Sequence, residues 1–448
     1  MRRVAIIGGG FAGLSAGVEL AARGLPVTLL DARPRLGGRA YSFTDAGSGE
    51  TVDNGQHALM GCYTSTLAFL ERIGATRKLV RQPNLHVEMR DVGRGGGRIA
   101  CAALPSPLHV LTGILGYRLL TRGERVRALL AGQQLMRLRR RRDTRLSEWT
   151  LDRLLIALGQ SANARRSFWH PVAIATLNEL PQRAAAAPFA EVLARAFFGS
   201  RSDSQFVLPT VGLSDLYTHD ARQFIEARGG SVDVKAAVAK LLFADGRLTG
   251  VVRRDGQRIE ADACICAVPP DALGALLPEP LYDQLSLRRL GAFEVSPIVS
   301  THLWFDRPVL THDFIGLLGT TTQWVFNRSK LTGTGNGHHC VSAVISAGRE
   351  QVDWDNARIA TTVAGDLCAL FPAARAACLV RTVVVKERQA TISSTPTAER
   401  MRPAPATAVD NLFLAGDWTR TGLPPTIESA VASGQRAATL VAARLPGQ

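Results

Sequence analysis

The stretch from Val4 to Asp31 reads VAIIGGGFAGLSAGVELAARGLPVTLLD, and the order of its residue types decides the fold. Val4 to Ile7 is a short apolar run with the β-branched content of a buried strand. Gly8, Gly10 and Gly13 follow in the spacing G-x-G-x-x-G, and a helical stretch runs on from about Ala12 to Arg23. A second strand, Val27 to Leu30, ends on Asp31. Gly8 permits the tight turn out of the strand, Gly10 lets backbone approach a diphosphate, and Gly13 lets the helix pack down on the strand. Gly10, Phe11, Ala12 and Gly13 thus open a helix whose positive amino end faces an anion. Asp31, eighteen residues beyond Gly13, is spaced to accept hydroxyls of an adenosine ribose. Together these features predict an α/β dinucleotide-binding unit, of the kind that FAD, NAD and NADP all use.

Residues on either side separate those ligands. Arg33 and the run Arg35-Leu36-Gly37-Gly38-Arg39-Ala40-Tyr41-Ser42 supply a second glycine pair flanked by guanidinium groups. An arginine there bridges a pyrophosphate whose other half continues toward a flavin. Near the far end, Asn411 to Ala415 is strand-like and runs into Gly416-Asp417, then Leu423-Pro424-Pro425-Thr426 and a helical stretch from Ile427 to about Arg444. Gly416 allows close approach, Asp417 suits a ribityl hydroxyl, and Thr426 caps the helix. The helix start at Thr426 and Ile427 offers partial positive charge to the flavin edge where negative charge gathers on reduction. The expected cofactor is FAD. No cysteine lies between Asn411 and Arg436, so non-covalent binding is expected.

The segments GGGFAG, RLGGRAYS and LFLAGDWTRTGLPPTIESAVASGQRAA resemble the amine oxidase and phytoene desaturase superfamily of FAD proteins. Within it, Val52-Asp53-Asn54-Gly55-Gln56-His57, Leu59-Met60-Gly61-Cys62-Tyr63 and Ala175-Thr176-Leu177-Asn178-Glu179-Leu180-Pro181 are similar to the squalene-associated branch, the hydroxysqualene dehydroxylases. The similarity covers nearly the whole chain. Members commonly carry Glu where Asp31 stands, and the shorter acid still reaches a ribose. The resemblance implies a Rossmann-like FAD domain of amine oxidase or GDI type, discontinuous over 1–62, 208–275 and 400–448. An inserted α+β substrate domain would occupy 63–207 and 276–399. It further implies Gly38 and Arg39 at the cofactor, Asn54, Gly55 and Gln56 beside the flavin, and the Val238 backbone at the adenine. The stretch Leu208 to Val232 resembles the point where such chains re-enter the FAD domain, with strands Val234 to Phe243, Arg247 to Arg253 and Ala261 to Val268 after it. Leu303 to Phe305 and Val341 to Ile345 predict strands of the substrate domain, and GRGGG over 93–97 and GTGNGHH over 333–339 predict loops.

The resemblance implies reductive removal of the hydroxyl of hydroxysqualene to give squalene, in hopanoid synthesis, with a lipophilic C30 isoprenoid as substrate. Hydroxide is a poor leaving group, so an acid is needed. His57 is the candidate, because an ordinary imidazole pKa suits proton transfer near neutrality. The alternative is that His57 only hydrogen-bonds flavin or backbone. A single dinucleotide fingerprint leaves the electron donor outside what the chain shows. Three other readings stand beside this one. A carotenoid-type desaturase would run oxidatively on the same scaffold. A flavin amine oxidase wants an aromatic cage, and 6% aromatic residues weaken that reading. A non-enzymatic prenyl-binding module, like the Rab GDP-dissociation inhibitors, is opposed by the intact motifs at Gly8, Asp31 and Asp417.

Composition sets the outer bounds. The 448 residues suggest two or three domains, and 46% hydrophobic content excludes a mainly disordered chain. Seven scattered cysteines point to reduced thiols, with Cys264 and Cys266 packed in a strand. His338, His339 and Cys340 are too close in sequence to form a zinc site, and no metal is expected. The formal charge is +15, but only five of 53 basic residues are lysine, and ten arginines crowd into 116–145 against Glu124 and Asp143. Without interleaved aromatics this is no nucleic-acid signature. Leucines among those arginines predict a basic helical segment over 104–145, whose partly amphipathic stretch 116–145 suits an anionic membrane face. No export signal or twenty-residue apolar run interrupts the chain, so the expected place is the cytoplasm, peripheral to a membrane.

Overall fold

The computed structural model describes residues 3–284, 287–333 and 337–445. Its first sheet is five-stranded and parallel, in the order Ser231–Asp233, Val27–Leu30, Val4–Ile7, Ala263–Cys266, Leu412–Leu414. The runs VAII, ACIC and LFL are buried at every position, as a parallel sheet covered on both faces requires. Helices Phe11–Ala22 and Ile427–Arg444 lie together over it, so close that a methyl on Gly434 would overlap the Ala12 carbonyl. Helix Leu213–Glu226 completes that layer by stacking Tyr217 on Phe11 with ring centroids 3.7 Å apart. An antiparallel ribbon, Val238–Ala244, Arg247–Arg253 and Arg258–Glu260, extends from the sheet. The strands of this sheet and ribbon come from 1–62, 208–275 and 400–448.

A seven-stranded mixed sheet runs Leu379–Ile392, Val295–Phe305, His339–Ser346, Trp324–Asn327, Phe314–Leu318, His86–Asp91, Gly95–Ala100. Period-two alternation assigns its faces. Ile315 and Leu317 pack with Ile359, Val363 and Leu367 of helix Asn356–Leu370. Phe314 and Leu318 turn the other way, toward the helices between 108 and 197. Asn178, in a left-handed conformation, and the fully buried Glu179 tie that helical layer to the sheet. Asn178 bonds the Ser296 carbonyl and the Ala347 N–H, and Glu179 pairs with Arg349.

Several sequence expectations need correction. The strand expected over Val234 to Phe243 begins only at Val238, because Lys235 turns through φ 55° between the parallel sheet and the ribbon. GRGGG is a loop only to Arg94. Gly95–Ala100 is an edge strand, where the bare Gly97 makes room for Tyr117 and Leu119. GTGNGHH falls on 334–336, which lie outside the described residues, and His339 already belongs to a strand. The basic segment is not one amphipathic helix but three, Leu108–Gly116, Arg122–Arg140 and Thr144–Glu148, broken by a Thr121–Glu124 capping box. Leu119, Leu120, Leu135, Met136 and Leu138 face the core, leaving Leu104, Leu108, Leu115, Val126 and Leu130 outside. No helix among the described residues is long and apolar enough to cross a membrane.

Candidate active site

The two glycine turns meet face to face. Gly8 leaves its strand at φ 106°, where a side chain would strike the Ala267 carbonyl, and a methyl on Gly13 would overlap the Gly8 carbonyl. Gly38, at φ 58°, sits so near Gly10 that a Cβ there would lie 3.3 Å from the Gly10 Cα. The Gly37 N–H donates to the Gly9 carbonyl at 2.9 Å. Asp31 is buried at the end of its strand, and its carboxylate accepts the Gly9 N–H at 2.6 Å and the Arg33 N–H at 2.8 Å. The acid thereby braces the first turn, with lone pairs left for hydroxyls. The Lys235 and Ala236 N–H groups donate to the Arg33 and Asp31 carbonyls, which brings Val238 to the same edge.

Three arginines differ in what they hold. Arg33 donates to the Gly38 carbonyl at 2.8 Å, closing the second turn. Arg39 pairs with Asp417 and donates to the Ala390 carbonyl, so it joins the glycine turn to the C-terminal motif. Burial opposes its charge, and the Asp417 carboxylate more than restores it. Arg35 lies with its guanidinium 3.3 Å from the centroid of the Tyr41 ring, and its Nη1 is buried without a partner. Burial pushes its pKa down. A half-buried guanidinium with one buried donor unmet beside two glycine turns fits an anionic ligand of pyrophosphate type. Sequence reading placed Arg35 in the run but assigned the cofactor role to Arg33 and Arg39. Only the unmet Nη1 marks it out.

At the other end, Gly416 stands at φ 142° with its N–H on Ser433 Oγ, and Thr426 caps helix Ile427–Arg444 through the Ser429 N–H. This motif is held from inside by Arg402, which is 1% exposed and donates to the carbonyls of Asp417, Thr419 and Leu423. No local pattern around Arg402 signals that role. Phe11 is buried in the apolar core, and Ile427, half-buried, packs against the same cluster.

The motif 52–57 lies between these halves. Asn54 donates to the Arg39 carbonyl at 2.8 Å and to Glu387 at 3.2 Å, and its Oδ1 accepts the Tyr41 N–H. Asp53 is saturated by Ser42, the Leu213 N–H and a buried ion pair with Arg328. Arg328 in turn reaches the Thr51 carbonyl at 2.8 Å and Gln56 at 3.5 Å. His302, fully buried, donates from Nε2 to the Asp53 carbonyl and accepts the Ser342 hydroxyl at Nδ1. Burial, with Arg328 nearby, lowers its pKa to about 4, so it stays neutral. His57 is half-buried, and its ring makes no hydrogen bond among the described residues. Burial also lowers its pKa, with Asp53 partly opposing. The ordinary imidazole value expected from sequence is therefore corrected downward. Arg328, His302, Glu387 and Arg402 are distant in sequence from the motifs they serve, and sequence reading missed them. Among the described residues no cluster of three or more His, Cys, Asp or Glu is placed to hold a metal.

Known proteins supply the family. The model of the flavin-containing amine oxidoreductases matches residues 11–442. The hydroxysqualene dehydroxylase of Sinorhizobium fredii is 29% identical, with 98% of each chain covered, and that of Rhodopseudomonas palustris is also 29% identical, with 99% of each covered. The zeta-carotene desaturase of Synechocystis is 26% identical over 98% of this chain and 97% of its own. Among solved structures, an oxidoreductase of Methanosarcina mazei superposes with TM-score 0.77 at 18% identity, covering 98% of this chain and all of its own. Putrescine oxidase bound to putrescine does so at 0.75 and 17%, covering 99% of each. The crossed glycine turns, the Asp31 brace and the C-terminal motif thus stand in a known setting, and the chain belongs to the flavin-containing amine oxidoreductase family.

Proposed function

We propose that this protein is an FAD-dependent hydroxysqualene dehydroxylase, which replaces the hydroxyl of a C30 isoprenoid alcohol with hydrogen to give squalene for hopanoid synthesis. The observation that carries this reading is end-to-end similarity to two hydroxysqualene dehydroxylases. Asp31, Arg33, Arg35 and the two glycine turns would hold the adenosine and pyrophosphate part of FAD, and Gly416 to Ile427 the flavin part, without a covalent link. When bound and reduced, FAD would supply the hydride-donating chemistry of the reaction. The chain supplies the proton: His57 gives it to the hydroxyl oxygen, the C–O bond breaks, and water leaves. A lowered pKa makes the His57 imidazolium a stronger acid while thinning its population at neutral pH. A reductant outside the chain provides the two electrons.

The lipophilic substrate would enter from an anionic membrane face. Leu104, Leu108 and Leu115 are exposed, and Arg118, Arg122, Arg127, Arg137, Arg140, Arg141 and Arg142 have no carboxylate partner among the described residues. Apolar insertion with a basic rim is what such a surface needs.

The test is anaerobic incubation of the FAD-loaded, chemically reduced protein with hydroxysqualene, read as squalene by mass. Phytoene converted under oxidising conditions to a conjugated product, with hydroxysqualene untouched, would transfer the protein to the desaturases. His57→Gln that keeps FAD and full turnover would remove His57 as the proton donor.

A further inference from the structure

Strand Val295–Phe305 presents Ser300, His302 and Trp304 on one face, toward residues 50–57. Two of the three are satisfied there. Trp304 donates to Glu50 at 3.2 Å, and His302 donates to the Asp53 carbonyl at 2.9 Å. Ser300 is fully buried, and its hydroxyl has no partner. A buried hydroxyl left unmet costs stability, and beside a candidate site a ligand that completes it is one explanation.

Gly55 shows what lies opposite. A Cβ on Gly55 would sit 3.5 Å from Ser300 Oγ and 3.8 Å from His57 Nε2, so both polar atoms converge on the space a side chain would fill. Gly55 is not among the residues at positive φ, so its backbone does not demand glycine. What the missing side chain provides is room between a hydroxyl and an imidazole.

We infer that Ser300 is a second hydroxyl-recognising residue of this site. Its Oγ–H donates to the oxygen of the substrate alcohol in the space over Gly55, with His57 on the other side, and Ser300 keeps its own proton throughout. The inference rests on the proposed function and deepens it: the pair selects an isoprenoid alcohol over the matching hydrocarbon.

Equilibrium binding of hydroxysqualene and of squalene to the FAD-loaded, oxidised protein tests this, followed by the flavin absorption band. The wild type should prefer the alcohol by about tenfold, the scale of one hydrogen bond. Ser300→Ala and Ser300→Cys should reduce the preference to within about twofold, leave squalene binding unchanged and leave Tm equal or raised. Gly55→Ala, whose new methyl makes only ordinary contacts, should lose the same preference. Variants that keep the wild-type preference overturn the inference, as does a Ser300→Ala protein with lowered Tm and equal losses for both ligands. A wild type that turns over hydroxysqualene without preferring it overturns the inference alone. One that does not turn it over overturns the proposed function, and this inference with it.

Discussion

Replacing Arg328 with methionine should cost a large share of the protein's stability and misplace the residues beside the flavin motifs. The side chain is 3% exposed, its Asp53 partner 2%, and the guanidinium also donates to the Thr51 carbonyl at 2.8 Å. Truncation removes two charge-assisted hydrogen bonds, each worth about 1.5–3 kcal/mol. Asp53 keeps Ser42 Oγ at 2.7 Å and the Leu213 N–H at 2.8 Å but loses its cation. Breaking a buried pair from one side costs about 3–5 kcal/mol, out of the roughly 5–15 kcal/mol typical of a folded protein. Urea unfolding followed by tryptophan fluorescence measures the loss for Arg328→Met, Asp53→Asn and the double variant. The double variant should be less destabilised than the two singles added together, by at least about 1.5 kcal/mol, because it leaves no orphaned charge. Turnover in still-folded Arg328→Met should fall about 100-fold as Asn54 to His57 shift. An Arg328→Met cost below about 1 kcal/mol, or singles that add within about 0.5 kcal/mol, would refute the reasoning.

Arg35→Gln should weaken FAD binding by about 10- to 100-fold, the worth of a charged hydrogen bond, with a stability loss of about 0.5–2 kcal/mol from the Tyr41 cation–π contact alone, because Nη1 has no partner to lose. Fluorescence titration of the apoprotein with FAD reads it. His302 offers a pH signature: its folded pKa of about 4 lies below the ordinary 6.5, so stability is full above 6.5 and is lost as pH falls toward 4. The loss is about 3 kcal/mol at most, and His302→Asn should flatten that limb in a series of urea titrations. Leu108→Asp with Leu115→Asp should abolish sedimentation with anionic vesicles, and Arg122, Arg127 and Arg137 to Gln should make residual binding insensitive to salt. Unchanged vesicle binding in both sets would dismiss the membrane face.

How much of this was readable beforehand follows the range of the interactions. Strands Val27–Leu30 and Arg247–Arg253 and helix Ile427–Arg444 occur where the residue pattern puts them, because their glycines, caps and apolar period are all local. The Gly8 and Gly38 turns and the Thr426 cap were legible for the same reason. Arg402 and Arg328 were not, since each acquires meaning only when a distant loop closes on it. The arginine-rich stretch misled because a count of leucines carries no facing. Leu135 and Leu138 prove to be core, whereas Leu108 and Leu115, outside the densest charge, form the exposed apolar face. The lowered pKa of His57 likewise depends on packing that no spacing rule contains.

The strand order of the parallel sheet has a consequence for biosynthesis. Of the strands in this sheet Val4–Ile7 leaves the ribosome first, yet one of its two neighbours is Ala263–Cys266, and the sheet is finished only by Leu412–Leu414. At about 5–20 residues per second, tens of seconds separate the making of Gly8 from that of Asp417, which must meet Arg39 to close the site. During that interval the first glycine turn has Asp31 to brace it but no opposite wall. On the proposed reading, a ribosome stalled short of Asp417 should carry a nascent chain that binds no flavin.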